Sequence, residues 1–312
     1  MIALSTYTTT PQWKDFFSLK DAKALENLIE EKWIPSAGTF IHLDIYRQDA
    51  HAPTVVYCHG LATCGRIMGH IALGLYNKGY NVICPDLWGF GLSTQRHGSG
   101  TIALFINNLI STISFAKTLS DGPRFLAGIS LGGILSYYTA CVCDDIKAIA
   151  CYCLLDLSAR RTKKISQDGK HITLMTALAK LGSLVVPNVY TPVRKFLSID
   201  RLSQNKEFNQ LFVDNPLCVK RYTFKSACSI ISTAPHIPFE RFTKMPVMVL
   251  HGENDRLIPE SLSRMNYEKL ACPKKYHCIK GCEHAPVEVK HLNEYVTTMD
   301  EWFLTPFPQT KN

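Results

Sequence analysis

A chain of 312 residues with 46% hydrophobic and 19% charged side chains can bury a large core and carries too little charge to stay disordered. No secretory leader is expected, because Met1-Ile2-Ala3-Leu4-Ser5 offers no basic stretch ahead of an apolar run. No bilayer-spanning segment is expected either: the most apolar run, Ile102 to Leu119, carries Asn107, Asn108 and Lys117 and reads as a helix of a soluble domain.

Twelve cysteines without paired C-x-x-C units read as small buried hydrophobes kept reduced, which implies a cytoplasmic location and no zinc site. The net charge of +8 is unevenly spread. Leu157 to Lys244 holds 15 Lys+Arg against 5 Asp+Glu, leaving 19 against 21 elsewhere. Such a segment suits an anionic lipid surface or substrate, or is simply a solvated face. No nucleic-acid-binding module accompanies it.

In chain order, residues 11–33 read as a helical extension whose Trp13, Phe16 and Phe17 dock on the body or touch a membrane. Phe40 to Tyr46 alternates as an edge strand, and Thr54 to Cys58 is a nearly continuous apolar run, as in a strand buried on both faces. Gly65 to Lys78 reads as a helix, Tyr80 to Cys84 as a strand and Ile102 to Leu119 as a longer helix. A strand Phe125 to Ile129, a helix Gly133 to Cys143 and a strand Ile146 to Leu154 follow. This β-α-β-α order implies a parallel sheet with helices on both faces. The rhythm breaks after Asp156. Residues 158–170 are polar and basic, and helical pieces Leu174 to Leu184 and Leu217 to Ser232 follow, separated by Pro187 and Pro192. The sheet resumes at Pro246 to Leu250, continues at Lys275 to Ile279 and ends in a helix, Val287 to Phe303. The expected organisation is a core of residues 1–156 and 244–312 interrupted by a helical cap, residues 157–243.

Gly128-Ile129-Ser130-Leu131-Gly132 sits between the strand ending at Ile129 and the next helix. A G-x-S-x-G run in that setting is a nucleophile elbow: the sharp turn lifts the serine hydroxyl clear of the sheet, and small neighbours let strand and helix approach. Serine chemistry further needs a base and a carboxylate that orients it, on loops at the carboxyl ends of strands. Asp255, in His251-Gly252-Glu253-Asn254-Asp255, is the candidate acid, with Asp156 the alternative site and Glu253 less suited. His284, in Gly281-Cys282-Glu283-His284-Ala285-Pro286, is the candidate base. His59-Gly60-Leu61 follows a buried strand, so the Leu61 N–H can pair with that of Leu131 as an oxyanion hole. His59 and His251 read as structural residues under the site. Asp86-Leu87-Trp88-Gly89-Phe90-Gly91-Leu92-Ser93 reads as a tight structural loop near the site floor.

Together these motifs resemble the α/β-hydrolase superfamily over nearly the whole chain, and within it the monoacylglycerol lipase and lysophospholipase group, filed with S33 serine aminopeptidases. The finer likeness rests on Leu181 to Tyr190, Ile199-Asp200-Arg201-Leu202-Ser203 and Asp214-Asn215-Pro216-Leu217, which are similar to that group's cap. The resemblance implies Ser130 as nucleophile, Asp255 as acid, His284 as base, Leu61 and Leu131 as oxyanion donors, a lid over an acyl pocket, and neither cofactor nor metal. One departure is Leu61-Ala62-Thr63-Cys64, where monoacylglycerol lipases commonly continue with Gly and Glu.

The leading expectation is a serine carboxylester hydrolase acting on a small-molecule acyl lipid such as a monoacylglycerol or lysophospholipid, with peripheral contact to an anionic membrane. Leu174, Leu178, Leu181 and Val185 either line the acyl channel or pack the cap on the core. A thioesterase, peptidase or acyltransferase using the same three residues, or a non-catalytic binding protein on this fold, are the other readings.

Overall fold

A computed structural model of the chain describes residue 25 and residues 27–159, 162, 169–195 and 197–306. Trp13, Phe16 and Phe17 lie outside the described residues. The first strand, β1 (Ile29–Ser36), runs through the end of the expected helical extension. It pairs with β2 (Thr39–Tyr46) over eight residues, antiparallel, across a two-residue turn at Ala37 and Gly38. Both turn residues hold positive φ, 50° and 82°, the geometry whose twist matches a hairpin. Gly38 was the legible signal. Pairing also moves the edge of the sheet: β2 is interior, between β1 and β4, so Phe40 to Tyr46 is not an edge strand.

The remaining elements are β3 (Thr54–Cys58), a 3-10 turn (Gly65–Met68), α1 (Gly69–Asn77), β4 (Asn81–Pro85), α2 (Ile102–Leu119), β5 (Arg124–Ile129), α3 (Leu131–Ala140) and β6 (Ala148–Tyr152). After them come α4 (Gly169–Val185), β7 (Tyr190–Pro192), α5 (Lys206–Asp214), β8 (Arg221–Thr223), α6 (Phe224–Ser232), β9 (Val247–Gly252), α7 (Glu260–Lys269), β10 (Lys274–Ile279) and α8 (Val289–Phe303). Eight strands form one sheet in the order β1-β2-β4-β3-β5-β6-β9-β10. β3, β4, β5, β6, β9 and β10 run parallel, and β2 is antiparallel to both its neighbours. The architecture is therefore the mostly parallel, doubly wound α/β-hydrolase sheet.

Right-handed crossovers dictate the layers. The step from β3 to β4 goes one way along the sheet and the steps to β5, β6 and β10 go the other. This places α1 on one face and α2, α3 and α7 on the opposite face; α8 packs on α1 and α2 on α3. The order reverses between β3 and β5, and a crevice at the carboxyl ends of strands at such a point is where ligands bind. β3, β4, β6 and β9 are buried along their whole length, as their apolar runs require.

Helix α2 has the length and apolarity to cross a bilayer, but half of it is buried inside the protein. Its Asn108 is buried too, accepting from the Trp88 N–H at 2.7 Å and donating to Ser36 Oγ at 2.8 Å. It is a core helix. Among the described residues, the segment between β6 and β9 adds no strand to the large sheet; β7 and β8 form a small antiparallel pair of their own. β8 opens the expected helix at Leu217 to Ser232, which begins only at Phe224. Thr223 caps it, its hydroxyl accepting from the Ser226 N–H at 3.1 Å.

Candidate active site

Ser130 stands between β5 and α3 with φ 56° and ψ −120°, a left-handed backbone held by a non-glycine residue. Such a conformation costs about 1–2 kcal/mol. Its surroundings enforce it. The Ser130 N–H donates to the Tyr152 carbonyl at 2.8 Å, and the Ser130 carbonyl accepts from the Ile134 N–H at 3.1 Å. A Cβ on Gly132 would come 2.1 Å from the Cys58 carbonyl oxygen, and one on Gly128 2.5 Å from the Gly132 backbone. Glycine is required at both positions because β3, β5 and α3 converge there.

Asp255 lies in the turn after β9. Its Oδ1 accepts from the N–H groups of Leu257 and Ile258, both at 2.8 Å, which fixes the carboxylate plane. Its Oδ2 accepts from His284 Nδ1 at 2.7 Å. His284 is 3% exposed, and with its Nδ1 proton on Asp255 its Nε2 carries the lone pair. Burial pushes the Asp255 pKa up, but the pull of the His284 ring when it is protonated and the hydrogen bonds from His251 and His284 override burial and hold it well below the usual carboxylate range. Ser130 and His284 line one small cavity. The structure thus brings the expected nucleophile, acid and base together. Asp156 is not part of this group: its Oδ1 accepts from the N–H and hydroxyl of Ser158. Glu253 is spent on the Gly281 N–H, at 2.9 Å.

The loop leaving β3 passes beside the elbow; a Cβ on Gly60 would lie 3.5 Å from Ser130 Cβ. His59 is buried and its tautomer is set by its neighbours. Nε2 accepts from the Leu87 N–H at 3.2 Å, so Nδ1 carries the proton and donates to the Gly60 carbonyl at 2.8 Å. Burial lowers its pKa and keeps it neutral. Thr63 Oγ1 also donates to the Gly60 carbonyl, at 3.3 Å. Among the described residues, the N–H groups of Leu61 and Leu131 donate to no protein acceptor. Leu61 and Ser130 line both cavities described below.

Two cavities meet at Ser130. The larger, about 210 Å³, is walled mainly by apolar side chains from the core (Leu131, Ile134, Leu155, Leu262) and from the inserted segment (Leu197, Ala227, Ile230), with Thr162, Thr176 and Lys195 also in its lining. The smaller, about 40 Å³, is lined by Thr63, Met68, Ile71, Phe208, Phe212 and His284 among others. The stripe Leu174, Leu178, Leu181 and Val185 is in neither. These side chains are 57%, 45%, 60% and 69% exposed; Leu178, Leu181 and Val185 line a separate pocket with Thr191, Lys195 and Phe224, and Lys195 also lines the large cavity. Thr176 and Ala179 turn inward instead. Gly182 lets α4 close on α6, since a Cβ there would sit 2.5 Å from the Phe224 ring.

Several contacts carry no sequence signal because their partners are far apart in the chain. His251 Nε2 lies 3.4 Å from Asp255 Oδ2 and 3.0 Å from the Ile258 carbonyl, and its Nδ1 meets Ser263 Oγ at 2.9 Å. Glu283, next to His284, accepts from the Ser203 hydroxyl at 2.6 Å and from the Gln204 N–H at 2.8 Å, which ties the base loop to the inserted segment. The Tyr222 hydroxyl accepts from the Ala62 N–H at 3.0 Å. Cys153 Sγ lies 3.9 Å from Asp255 Oδ2; burial pushes that thiol up, so it is not a thiolate nucleophile.

The sequence profile of the family described as serine aminopeptidase, S33, matches residues 49–288, from just before β3 to the residue ahead of α8. Phospholipase YtpA of Bacillus subtilis (strain 168) is 23% identical over 227 residues, covering 70% of this chain and 81% of that protein. The crystal structure of Paleococcus ferrophilus monoacylglycerol lipase matches with a TM-score of 0.69 at 23% identity, covering 84% of this chain and 97% of that one. A soluble variant of monoglyceride lipase from Saccharomyces cerevisiae, in complex with a substrate analogue, matches with a TM-score of 0.74 at 17% identity, covering 88% and 94%. With the profile matching well over half of the chain, on a sheet of this order, the chain belongs to the serine aminopeptidase S33 family and is a hydrolase of the α/β-hydrolase fold.

Proposed function

We propose that this hydrolase cleaves carboxylic esters of a single long acyl chain, such as a monoacylglycerol or a lysophospholipid, through an acyl-enzyme on Ser130. The observation that carries the reading is the large apolar cavity opening onto Ser130, walled jointly by the core and by residues 157–243 acting as a cap. The acyl chain occupies it, and the alcohol leaves through the smaller cavity. Among the described residues, the small cavity's lining holds no lysine or arginine, and burial depresses the pKa of its His70 to about 4. An uncharged alcohol suits it better than a phosphodiester.

In the reaction, Ser130 Oγ bonds to the acyl carbon while His284 Nε2 takes its proton. The carbonyl oxygen becomes an oxyanion facing the N–H groups of Leu61 and Leu131. Collapse breaks the carbon–alkoxy bond, and His284 returns the proton to the leaving alcohol oxygen. Water then attacks the acyl-enzyme with His284 as base, releasing the fatty acid and Ser130. Asp255 keeps the His284 proton on Nδ1 and stabilises the imidazolium.

The test is hydrolysis of p-nitrophenyl esters from short to long acyl chains, with Ser130→Ala as control. The expected result is a Ser130-dependent rate that rises with chain length, together with hydrolysis of monoacylglycerol faster than of the lysophospholipid bearing the same chain. A rate confined to short acyl groups overturns the lipid reading. An enzyme that stays inert and is not labelled by a fluorophosphonate overturns the catalytic one.

A further inference from the structure

Ala62 is the residue after the candidate oxyanion donor Leu61, and it holds φ 65°, in the left-handed region that alanine avoids. Nothing on its own loop satisfies its backbone. Its N–H donates to the Tyr222 hydroxyl at 3.0 Å, and its carbonyl accepts from the Val219 N–H at 3.1 Å. Both partners belong to the inserted segment at β8, 160 residues away in the case of Tyr222.

Leu61 therefore sits between two pinned peptide planes. The one before it is held by His59 and Thr63 through the Gly60 carbonyl. The one after it is held by Tyr222 through the Ala62 N–H. A peptide N–H points opposite its carbonyl, so the anchors on the Gly60 carbonyl set the direction of the Leu61 N–H, and the anchor on the Ala62 N–H keeps the following plane from turning and carrying Leu61 with it. Tyr222 is itself fixed. It is 2% exposed, its ring lies 6.1 Å from Phe90, and Phe90 lies 4.8 Å from the His59 ring. The adjoining Thr223 N–H donates to the Gly98 carbonyl at 3.0 Å. The same ring lines the large cavity beside Leu61 and Ser130.

We propose that Tyr222 is a positioning residue for the oxyanion hole: its hydroxyl clamps Ala62 in a left-handed conformation and so keeps in place the turn on which the Gly60 carbonyl aims the Leu61 N–H at the reacting carbonyl. The cap then does more than cover the acyl chain, since the site is incomplete until β8 is docked. The proposal rests on the serine-hydrolase reading above.

The test compares wild type, Tyr222→Phe, Ala62→Gly and the double variant with a long-chain p-nitrophenyl ester. Tyr222→Phe keeps the ring in the cavity wall and removes only the clamp. Displacing an oxyanion donor lowers turnover by roughly 10–100-fold here, below the ~10²–10³ of outright removal. The loss is expected in kcat, with KM within about twofold, because the donor acts on the transition state and not on the bound ester. Glycine holds the left-handed backbone without a clamp, so Ala62→Gly alone stays within about twofold of wild type. In the Tyr222→Phe background it recovers several-fold in kcat. A Tyr222→Phe enzyme with unchanged kcat, a loss confined to KM, or a loss that Ala62→Gly does not relieve would overturn the proposal. If wild type neither hydrolyses esters nor reacts with fluorophosphonate, the hydrolase reading has failed instead. The clamp is then decided by amide hydrogen exchange at Ala62, expected to be slow in wild type and fast in Tyr222→Phe; equal rates overturn it.

Discussion

Two loops meet at Ser130, and each bends through a non-glycine residue of positive φ: Ser130 after β5 and Ala62 after β3. They are held in different ways. The β5 elbow is enforced by the core, through the Tyr152 carbonyl and the close approach of Gly128 and Gly132 to neighbouring backbone. The β3 loop is held at one end by the core and in its middle by the inserted segment, through Tyr222 and Val219. Strain at the elbow is therefore over-determined by atoms that cannot move without unfolding the sheet. Strain at Ala62 lasts only while β8 is docked. The candidate nucleophile is built into the fold, whereas its candidate oxyanion partner is shared between fold and insertion.

The largest effect expected from this contrast is on stability. Gly132→Ala places a methyl group 2.1 Å from the Cys58 carbonyl oxygen, where backbone must shift on both sides. Overpacking of that kind costs about 3 kcal/mol or more. A Tm drop of roughly 10 °C, or failure to express folded protein, is expected by thermal melting. Ala62→Gly, on the other loop, is expected to move Tm by no more than about 2 °C, since glycine relieves strain while losing some chain entropy. Similar Tm changes for the two variants would remove the distinction between a core-enforced and a clamped loop.

The same contrast explains what could be read from the residues alone. The elbow was legible because its constraints are local: glycines two residues either side of Ser130, an apolar strand before and a helix after. The candidate order Ser130, Asp255, His284 could be drawn because each side chain follows a strand, and the burial of β3, β4, β6 and β9 follows from their mostly apolar runs. β1 was misread as helix because its pairing with β2 outweighs a weak local preference. The sequence leaves the α4 stripe open between two roles because periodicity reports that a face exists, not which way it points. Tyr222 gave no signal at all: a lone tyrosine in a basic segment acquires its role only when the chain brings it to Ala62.

That outward stripe supplies the next prediction. On its inner side the inserted segment lines the cavity; on its outer side Leu174, Leu178, Leu181, Leu184 and Val185 stand exposed, Leu184 at 83%. An apolar ridge on a strongly basic segment suits the surface of an anionic bilayer. Vesicles containing phosphatidylserine are expected to bind the protein and to release it with added salt. Leu181→Asp with Leu184→Asp should weaken binding at least tenfold while leaving hydrolysis of soluble short-chain esters within about twofold. Binding indifferent to both salt and the two substitutions would leave the ridge without this role.

The smallest effect separates the two anchors of the β3 loop by pH. At its far end the Gly65 N–H donates to Asp86 Oδ1 at 2.6 Å, and Asp86 Oδ2 accepts from His42 Nδ1 at 2.9 Å. Glu31, Asp44 and Arg66 complete the group, with Arg66 paired to both of those carboxylates. Burial disfavours a charged His42, but its hydrogen bond with Asp86 and its ion-pair contact with Glu31 at 3.3 Å prevail and raise its pKa to about 9. A group that binds its proton more tightly when folded contributes fully below its unfolded pKa of 6.5 and loses that contribution as pH rises through about 9. Stability should therefore decline between those limits, by on the order of 2–3 kcal/mol. The Tyr222 clamp does not share this dependence, because burial pushes its phenol above the usual range. Melting wild type and His42→Gln from pH 6 to pH 9.5 is the measurement. The variant starts several degrees lower, and its Tm stays flat where that of wild type falls. A parallel decline in both would assign the alkaline loss to other groups and leave Asp86 a pH-independent anchor.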